Sequence, residues 1–171
     1  MKVKMNVTDK NQVPSLLKEL KALKGRSMEV GILAEAGGKM LMIANVHEFG
    51  CKIKVTDKMR KFFAAAYGIH LKKATKTIVI PERSFLRGGF DHNRKAIADT
   101  AERLLEKLVE GTIDAETLLE FLGENTVGRI KNYLVDLRTP PNSSLTIRQK
   151  GSSNPLIDSG HLKDAITYKI T

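Results

Sequence analysis

Apolar side chains recur every three or four residues along several stretches of the chain, which is the spacing of an amphipathic helix. In the first part of the chain this pattern covers residues 13–25, 39–50 and 57–68, and each stretch ends at a glycine. Glycine commonly terminates helices because it adopts a positive φ without strain. Pro14 suits the first turn of the first stretch, and Thr56 or Asp57 can cap the third. The sequence therefore predicts three short helices.

The two longest helical patterns follow one another in the second half of the chain. The first begins between residues 84 and 91, and its apolar stripe continues to Val109 before Gly111 ends it. The second begins at Asp114, because an aspartate is a favourable N-cap residue, and it continues to Leu137. Two long consecutive helices are therefore expected.

Strict alternation or β-branched composition indicates strands in four places. These are residues 27–33, 51–56, 75–80 and 165–170. Since only one helix separates the second strand from the third, we expect those two strands to lie in one sheet. The predicted fold class is α+β, with a small, mostly antiparallel sheet packed by two long helices.

The stretch from residue 138 to 160 departs from both patterns. Pro140, Pro141 and Pro155 break helices, and the Asn and Ser residues between them favour turns. The stretch also carries isolated apolar residues, which a plain linker does not need. We therefore expect one domain over residues 1–171, with its core in residues 1–137 and 161–171 and a long extended C-terminal arm at 138–160.

Charge is distributed unevenly along the 171 residues, whose formal net charge is +10. Residues 1–95 carry 20 Lys/Arg and 8 Asp/Glu, whereas residues 96–137 carry four Lys/Arg and nine Asp/Glu. Three interpretations stay open: a polyanionic partner such as nucleic acid, self-association in which acidic and basic faces of neighbouring copies meet, or simply the solvated faces of a basic protein. No apolar run is long enough to span a membrane, and residues 1–10 lack a signal-like apolar region.

Candidate reactive clusters have simpler structural interpretations. His47, Glu48 and Cys51 lie close together but lack the ligand spacing of a zinc site, and Cys51 has no second cysteine to pair with. The residues around Asp158 and Ser159 are crowded in sequence, but a hydrolytic triad joins separate segments, so either residue is better explained as a helix N-cap. We expect no enzymatic activity, no cofactor and no metal.

The stretch IPERSFLR, residues 80–87, combines a proline, charges of both signs and an aromatic ring at a predicted strand-to-helix junction. One interpretation is a capped helix start, with Ser84 as the cap and Phe85 in the core. In the other interpretation Arg83 and Arg87 anchor an interface, since arginine and aromatic residues are typical interface anchors. The sequence leaves both open.

Three blocks occur in a recognisable order: VHEFG at 46–50, IPERSFLR at 80–87 and TPPNSSLTIRQKGSSNPLIDSGHLKDAITYKI at 139–170. Together they resemble the tail-completion, or neck, proteins of tailed bacteriophages, a group often labelled virion morphogenesis proteins or putative tail components. Ser84 replaces a frequent proline of that group and Ser159 its usual threonine, and the helical excursion at 57–73 is longer than in its shortest members.

The resemblance implies a non-enzymatic virion protein at the junction of head and tail, present in the host cytoplasm during assembly. Such proteins act as homo-oligomeric rings, most often sixfold, and contact neighbouring neck, connector, tail-terminator or tail-tube proteins, with packaged DNA as a further partner and no membrane. We expect the 138–160 arm to lie on a neighbouring subunit. The expected interface residues are Glu48, Phe49, Arg83, Phe85, Arg87, Pro140, Pro141, Asn142, Leu145, Ile147, Pro155, Leu156, Ile157 and Asp158.

The alternative function is a basic nucleic-acid-binding module without enzymatic activity. The residues expected to face DNA or an acidic partner are Lys52, Lys54, Lys58, Arg60, Lys61, Lys72, Lys73 and Lys76. The near absence of aromatic residues, 5% of the chain with no tryptophan, argues against single-strand binding by base stacking.

Overall fold

The structure is a computed structural model that describes residues 11–171, so the expectation for residues 1–10 lies outside the described residues. It has the predicted α+β fold. The helices are α1 (Val13–Leu23), α2 (Gly38–Phe49), α3 (Asp57–Tyr67), α4 (Arg87–Val109), α5 (Ala115–Asp136), α6 (Ser144–Lys150) and α7 (His161–Asp164). The strands are β1 (Met28–Gly31), β2 (Cys51–Lys54), β3 (Thr77–Ile80) and β4 (Thr167–Ile170).

The four strands form two separate antiparallel pairs, where the sequence led us to expect one sheet. β1 pairs with β4, so that Met28 lies opposite Ile170, and β2 pairs with β3, so that Cys51 lies opposite Ile80. The β1–β4 pair packs on α5. The β2–β3 pair carries the helix α3 between its strands, as expected, and lies outside the packed core.

Helices α4 and α5 form an antiparallel hairpin, which is the most extensive helix–helix contact among the described residues. Gly89, near the start of α4, packs so closely on α5 that a Cβ there would meet the Tyr133 ring at 3.3 Å. At the other end of the hairpin, Leu108 of α4 is buried against Leu118 and Leu119 of α5. The hairpin is therefore the frame on which the remaining elements pack.

Two hydrophobic clusters lie at opposite ends of α5. The larger one gathers Ala44, Phe85, Ile130, Leu134, Leu156, Leu162 and Ile166, and the smaller one gathers Leu108, Ala115, Leu118 and Leu119. Between them, α5 passes under β4 at Gly123, where an added Cβ would lie 2.5 Å from the Tyr168 ring. Gly123 therefore provides room for the closing strand.

The segment at 138–160 contains structure that the sequence did not indicate. Residues Ser144–Lys150 form α6, capped by the Ser143 hydroxyl, which accepts a hydrogen bond from the Thr146 amide at 3.2 Å. Pro155 and Leu156 are buried, and Leu156 belongs to the larger core cluster. The segment is therefore not extended throughout, and Leu156 packs on its own molecule. The segment's expected contact with a neighbouring subunit or a partner ring stays a prediction.

Local capping signals were predicted with mixed success. The Thr56 hydroxyl accepts from the Met59 amide at 3.2 Å, and the Asp114 carboxylate accepts from the Thr117 amide at 2.8 Å, so both caps are confirmed. Neither Asp158 nor Ser159 caps a helix. Gly160, at φ +87°, precedes α7 instead, because the chain must turn there through the left-handed region.

Candidate assembly interface

The end of α2 meets the start of α4 through a buried carboxylate. Glu48 is 4% exposed, and its oxygens accept hydrogen bonds from the Ser84 hydroxyl at 2.7 Å and the Leu86 amide at 2.9 Å. They also accept from the Arg87 amide and the Arg87 Nε, each at 3.0 Å. The first amides of a helix have no partner within the helix, and the helix dipole favours a negative charge beside them. Glu48 therefore caps α4 from a different helix.

The buried guanidinium of Arg83 fixes the beginning of the 138–160 segment to the same place. Its Nε donates to the Pro140 carbonyl at 2.7 Å, and its Nη2 donates to the Pro141 carbonyl at 2.9 Å and to Asn142 Oδ1 at 3.2 Å. The Arg83 amide donates to the His47 carbonyl at 2.7 Å. Burial lowers the pKa of Arg83 from its ordinary value. All three sequence blocks thus meet at one polar centre, which we name the motif junction and define by residues 47–48, 83–87 and 140–142.

His47 belongs to the motif junction and lines a neighbouring cleft. Its Nδ1 is buried and has no hydrogen-bond partner among the described residues. Burial first, and then the charges of Arg83 and Lys150, lower the pKa of His47 to about 4. The cleft beside it has a volume of about 630 Å³ and lies between α2, α6 and the chain before α7. His47 is therefore a neutral ring held among cations.

Several residues expected at an interface are enclosed by their own chain. These are Glu48, Arg83, Phe85, Pro155 and Leu156, all buried. Phe85 has no exposed surface at all and lies in the larger core cluster, as the capped-helix interpretation required. Within one copy these five side chains pack or form hydrogen bonds inside the molecule and offer little surface to a partner, so their place at an interface stays a prediction.

Other residues of that prediction remain accessible. Phe49 is 60% exposed, and the Arg87 guanidinium lies over its ring with Cζ 4.6 Å from the ring centre. Pro140, Pro141 and Asp158 are exposed, whereas Asn142, Leu145, Ile147 and Ile157 are half-buried. The structure does not gather the accessible members into one surface with the basic residues.

The basic residues lie together on a unit that we name the basic excursion, residues 51–80, comprising β2, α3 and β3. It carries eight Lys/Arg and one Asp/Glu. None of its residues, all of which are described, is buried. Its seven lysines are exposed and form no ion pair with any acid of residues 11–171. The excursion therefore presents positive charge that the molecule itself leaves uncompensated.

Arg60 differs from these lysines. Its guanidinium donates to the Leu71 carbonyl at 3.0 Å, the Lys72 carbonyl at 2.8 Å and the Thr75 carbonyl at 2.6 Å. It thereby ties α3 to the loop that leads into β3. Three hydrogen bonds of Arg60 are thus used to fold the excursion, and its expected role of facing DNA or an acidic partner stays a prediction.

The excursion also exposes large apolar side chains, which sequence reasoning missed. Phe62, Tyr67 and Val79 are each more than half exposed. The rings of Phe62 and Tyr67 pack edge to face, with centres 5.8 Å apart. The strands do show the alternation that the sequence predicted, with Cys51 and Ile53 half-buried and Lys52 and Lys54 exposed.

A second surface has the opposite charge. It lies where α4 turns into α5, and we name residues 99–124 the acidic end of the hairpin. It carries eight Asp/Glu, all exposed, and two Lys/Arg. Glu116 pairs with Arg26 and Asp114 caps α5, whereas the other six form neither an ion pair nor a side-chain hydrogen bond within residues 11–171. These six are Asp99, Glu102, Glu106, Glu110, Glu120 and Glu124.

The glutamates of α5 in this acidic surface lie close to Tyr168 of β4, as the pKa of that residue shows. Burial first, and then the charges of Glu124, Glu120 and Glu116, raise the pKa of the Tyr168 hydroxyl. The three glutamates, four residues apart on α5, therefore line the side of the helix next to β4. Leu105, Val109 and Phe121 lie on the same acidic end as exposed apolar side chains.

Comparison with known proteins finds no family model, no curated protein and no solved structure that matches the chain. Among the helices of residues 11–171, none is both long and apolar enough to cross a bilayer. Across the same residues, His, Cys, Asp and Glu side chains do not converge in threes as metal ligands would.

Proposed function

We propose that this chain is a structural subunit of the neck of a tailed-phage virion, where it completes the tail or joins it to the DNA-filled head as part of a ring. The observation that supports the proposal is the motif junction. The three sequence blocks that carry the resemblance lie far apart in the chain, yet they meet there. The Ser84 hydroxyl donates to Glu48 and the Arg83 amide donates to the His47 carbonyl, and these bonds join the first block to the second. Arg83 Nη2 donates to Asn142 Oδ1, which joins the second block to the third. The blocks therefore act as one structural unit.

The proposed role is not enzymatic. The chemistry-bearing side chains of the blocks are engaged in holding the fold: Glu48 caps α4, Arg83 holds the 140–142 backbone, and Ser84 donates to Glu48. A catalytic group needs a free lone pair or proton facing a substrate. In this arrangement the Glu48 carboxylate and the Arg83 Nε and Nη2 donors are used inside the molecule, whereas His47 Nδ1 is the one buried side-chain nitrogen or oxygen of the described residues without a partner, and no acid or base among those residues is bonded to it.

Assembly into a ring is supported by what the molecule leaves uncovered. The basic excursion and the acidic end each carry unpaired charge and exposed apolar side chains, which is the composition of a partner surface. A sixfold ring and contacts with neck, connector, tail-terminator or tail-tube proteins belong to the proposal through the resemblance alone. The virion, and the host cytoplasm during assembly, are its proposed locations.

Electron microscopy of particles from a phage that lacks this gene tests the proposal. Filled heads separate from tails, or tails of abnormal length or ending, are the expected result, and the wild-type gene supplied in trans should restore normal particles. Normal, infectious virions without the gene would overturn the proposal. Deleting the 138–160 segment is a poor substitute for deleting the gene, because Leu156 is part of the core and its removal would unfold the protein.

Nucleic-acid binding is a second candidate function, and the observation that favours it is the set of seven unpaired lysines on the basic excursion. Binding driven by phosphate contacts weakens steeply as salt rises, because each contact releases condensed counterions. Fluorescence anisotropy of a labelled DNA duplex at increasing salt measures this. Affinity that is unaffected by salt, or no binding at low salt, would exclude this candidate.

A further inference from the structure

We propose that the basic excursion of one copy of this chain docks on the acidic end of the α4–α5 hairpin of a second copy. The inference rests on the proposed function only in taking the partner to be another copy of the same chain. It names both halves of the contact, residues 51–80 on one copy and residues 99–124 on the other.

The first argument is charge. The excursion holds seven exposed lysines, and six of the eight exposed carboxylates of the acidic end have no partner of their own; within residues 11–171 neither of these two sets forms ion pairs. Complementary potentials attract partners and set their orientation. A second copy offers both signs of charge at once, so a single kind of contact compensates both surfaces.

The second argument is apolar surface. Each region exposes three large apolar side chains among its charges: Phe62, Tyr67 and Val79 on the excursion, and Leu105, Val109 and Phe121 on the acidic end. Protein interfaces combine an apolar centre with a polar rim. A polyanion such as DNA would neutralise the lysines but would repel the acidic end. Another copy of the chain accounts for both surfaces.

The contact joins two different surfaces, which limits how the copies can assemble. The two surfaces are different parts of the molecule, so each copy can dock its own excursion on one neighbour and receive the excursion of another. Such a contact is heterologous, and it generates a closed ring or an open filament according to the rotation between successive copies. Two copies can also exchange the contact reciprocally, which gives a dimer.

Charge reversal tests the contact, because the chosen side chains make no ion pair or side-chain hydrogen bond within the described residues. One variant carries Lys54→Glu, Lys58→Glu and Lys61→Glu. The other carries Glu102→Lys, Glu106→Lys and Glu120→Lys. A matched control reverses three exposed cations elsewhere, with Lys21→Glu, Lys24→Glu and Lys39→Glu. Circular dichroism verifies that each full-length variant is folded, and analytical ultracentrifugation measures its association.

We expect the wild-type chain and the control to associate, and each reversed variant to associate about 100-fold more weakly. An equimolar mixture of the two reversed variants should regain association, because the native excursion of one variant meets the native acidic end of the other, and the two reversed surfaces are also complementary. Salt should weaken the wild-type contact.

Three results would overturn the inference. They are a wild-type chain that stays monomeric at all accessible concentrations, reversed variants that associate like wild type, and a mixture that does not regain association. Wild-type monomers that bind a DNA duplex through the same lysines would also overturn it. A neck defect in the gene deletion together with normal association of both variants would refute only this inference. Normal virions together with rescue in the mixture would refute only the proposed function.

Discussion

The motif junction and the basic excursion use the same kinds of residue in opposite ways. Each contains an arginine that donates three hydrogen bonds to the chain: Arg83 to residues 140–142, and Arg60 to carbonyls between Leu71 and Thr75. Arg83 is buried beside the core, whereas Arg60 ties together a unit in which nothing is buried. The difference shows that the most distinctive sequence blocks build the scaffold, and that the accessible charge lies in the excursion between them.

The two regions also differ in how their stability arises. A buried charge loses its hydration, and only a complete set of hydrogen bonds offsets that cost. Glu48 meets this condition with four donors, so losing it leaves several groups unsatisfied at once. The stability of the basic excursion does not depend on such a network of hydrogen bonds to buried charge, because water solvates its lysines. We therefore expect substitutions to have large effects on stability at the junction and small effects on the excursion.

The largest effect is expected for Glu48→Ala. The change leaves the Ser84 hydroxyl and the first amides of α4 without their acceptor, and removing one partner of a buried charged network costs about 3–5 kcal/mol of unfolding free energy. Urea denaturation measures the loss. Glu82→Ala is the matched control, since Glu82 pairs with Arg87 at 2.8 Å on the surface and should contribute little. If the two variants lost similar amounts of unfolding free energy, the hydrogen bonds of Glu48 would contribute no more to stability than a surface ion pair does.

Arg83→Met and Arg60→Met compare the two regions directly. Arg83→Met should lower the global unfolding free energy by about 2–4 kcal/mol, because three hydrogen bonds from a buried guanidinium to the carbonyls of 140 and 141 and to Asn142 are lost together. Arg60→Met should leave that global value almost unchanged and instead loosen residues 68–76 locally. Hydrogen exchange followed by mass spectrometry distinguishes the two cases. A global loss of equal size for Arg60→Met would show that the excursion is part of the core.

The next effect is a pH dependence at the junction. The pKa of His47 falls from its ordinary value of 6.5 to about 4 in the folded chain, so the unfolded chain takes up a proton in this range that the folded chain does not. Stability should be fully present above pH 6.5 and should decrease as the pH falls towards 4. The loss should total about 2 kcal/mol, since partial exposure of the ring reduces the effect.

His47→Gln should remove this pH-dependent component, because glutamine does not titrate. His70→Gln is the control on the excursion, where the side chain is exposed, and it should leave the component in place. Thermal denaturation at intervals between pH 4 and pH 7 measures both variants. An unchanged pH profile in His47→Gln would show that other groups are responsible.

Local patterns predicted most elements of the fold. Thr56, Asp114 and the glycine that ends α2 act within a few residues of their own position, so the sequence carries their signals directly. The division of the strands into two sheets was not predictable in this way. It depends on which layer lies beneath each strand, and residues distant in sequence supply that layer.

The candidate site was only partly predictable for the same reason. Arg83 reaches carbonyls 57 and 58 residues away, and no local pattern indicates such a partner. Glu48 did carry one usable signal: a carboxylate in the last turn of a helix opposes that helix's own dipole. A carboxylate at that position is expected to accept hydrogen bonds from another element, and in the structure that element is the start of α4. The exposure of Phe62 on α3 and Val79 on β3 had no signal, because a local pattern does not show whether another layer covers the element that carries it.

The smallest expected effect tests the excursion itself. Lys54→Glu, Lys58→Glu and Lys61→Glu should each change the unfolding free energy by no more than about 0.5 kcal/mol, because these side chains are exposed and make no intramolecular ion pair. Lys150→Met is the matched lysine near the junction. Its ammonium donates to the Asn154 carbonyl at 2.9 Å, and burial lowers its pKa, so its loss should be measurably larger. Urea denaturation of the four variants under one buffer condition gives the ranking. If the excursion lysines prove as costly to change as Lys150, their charge has a structural role, and a change in association on reversing it could no longer be assigned to the surface alone.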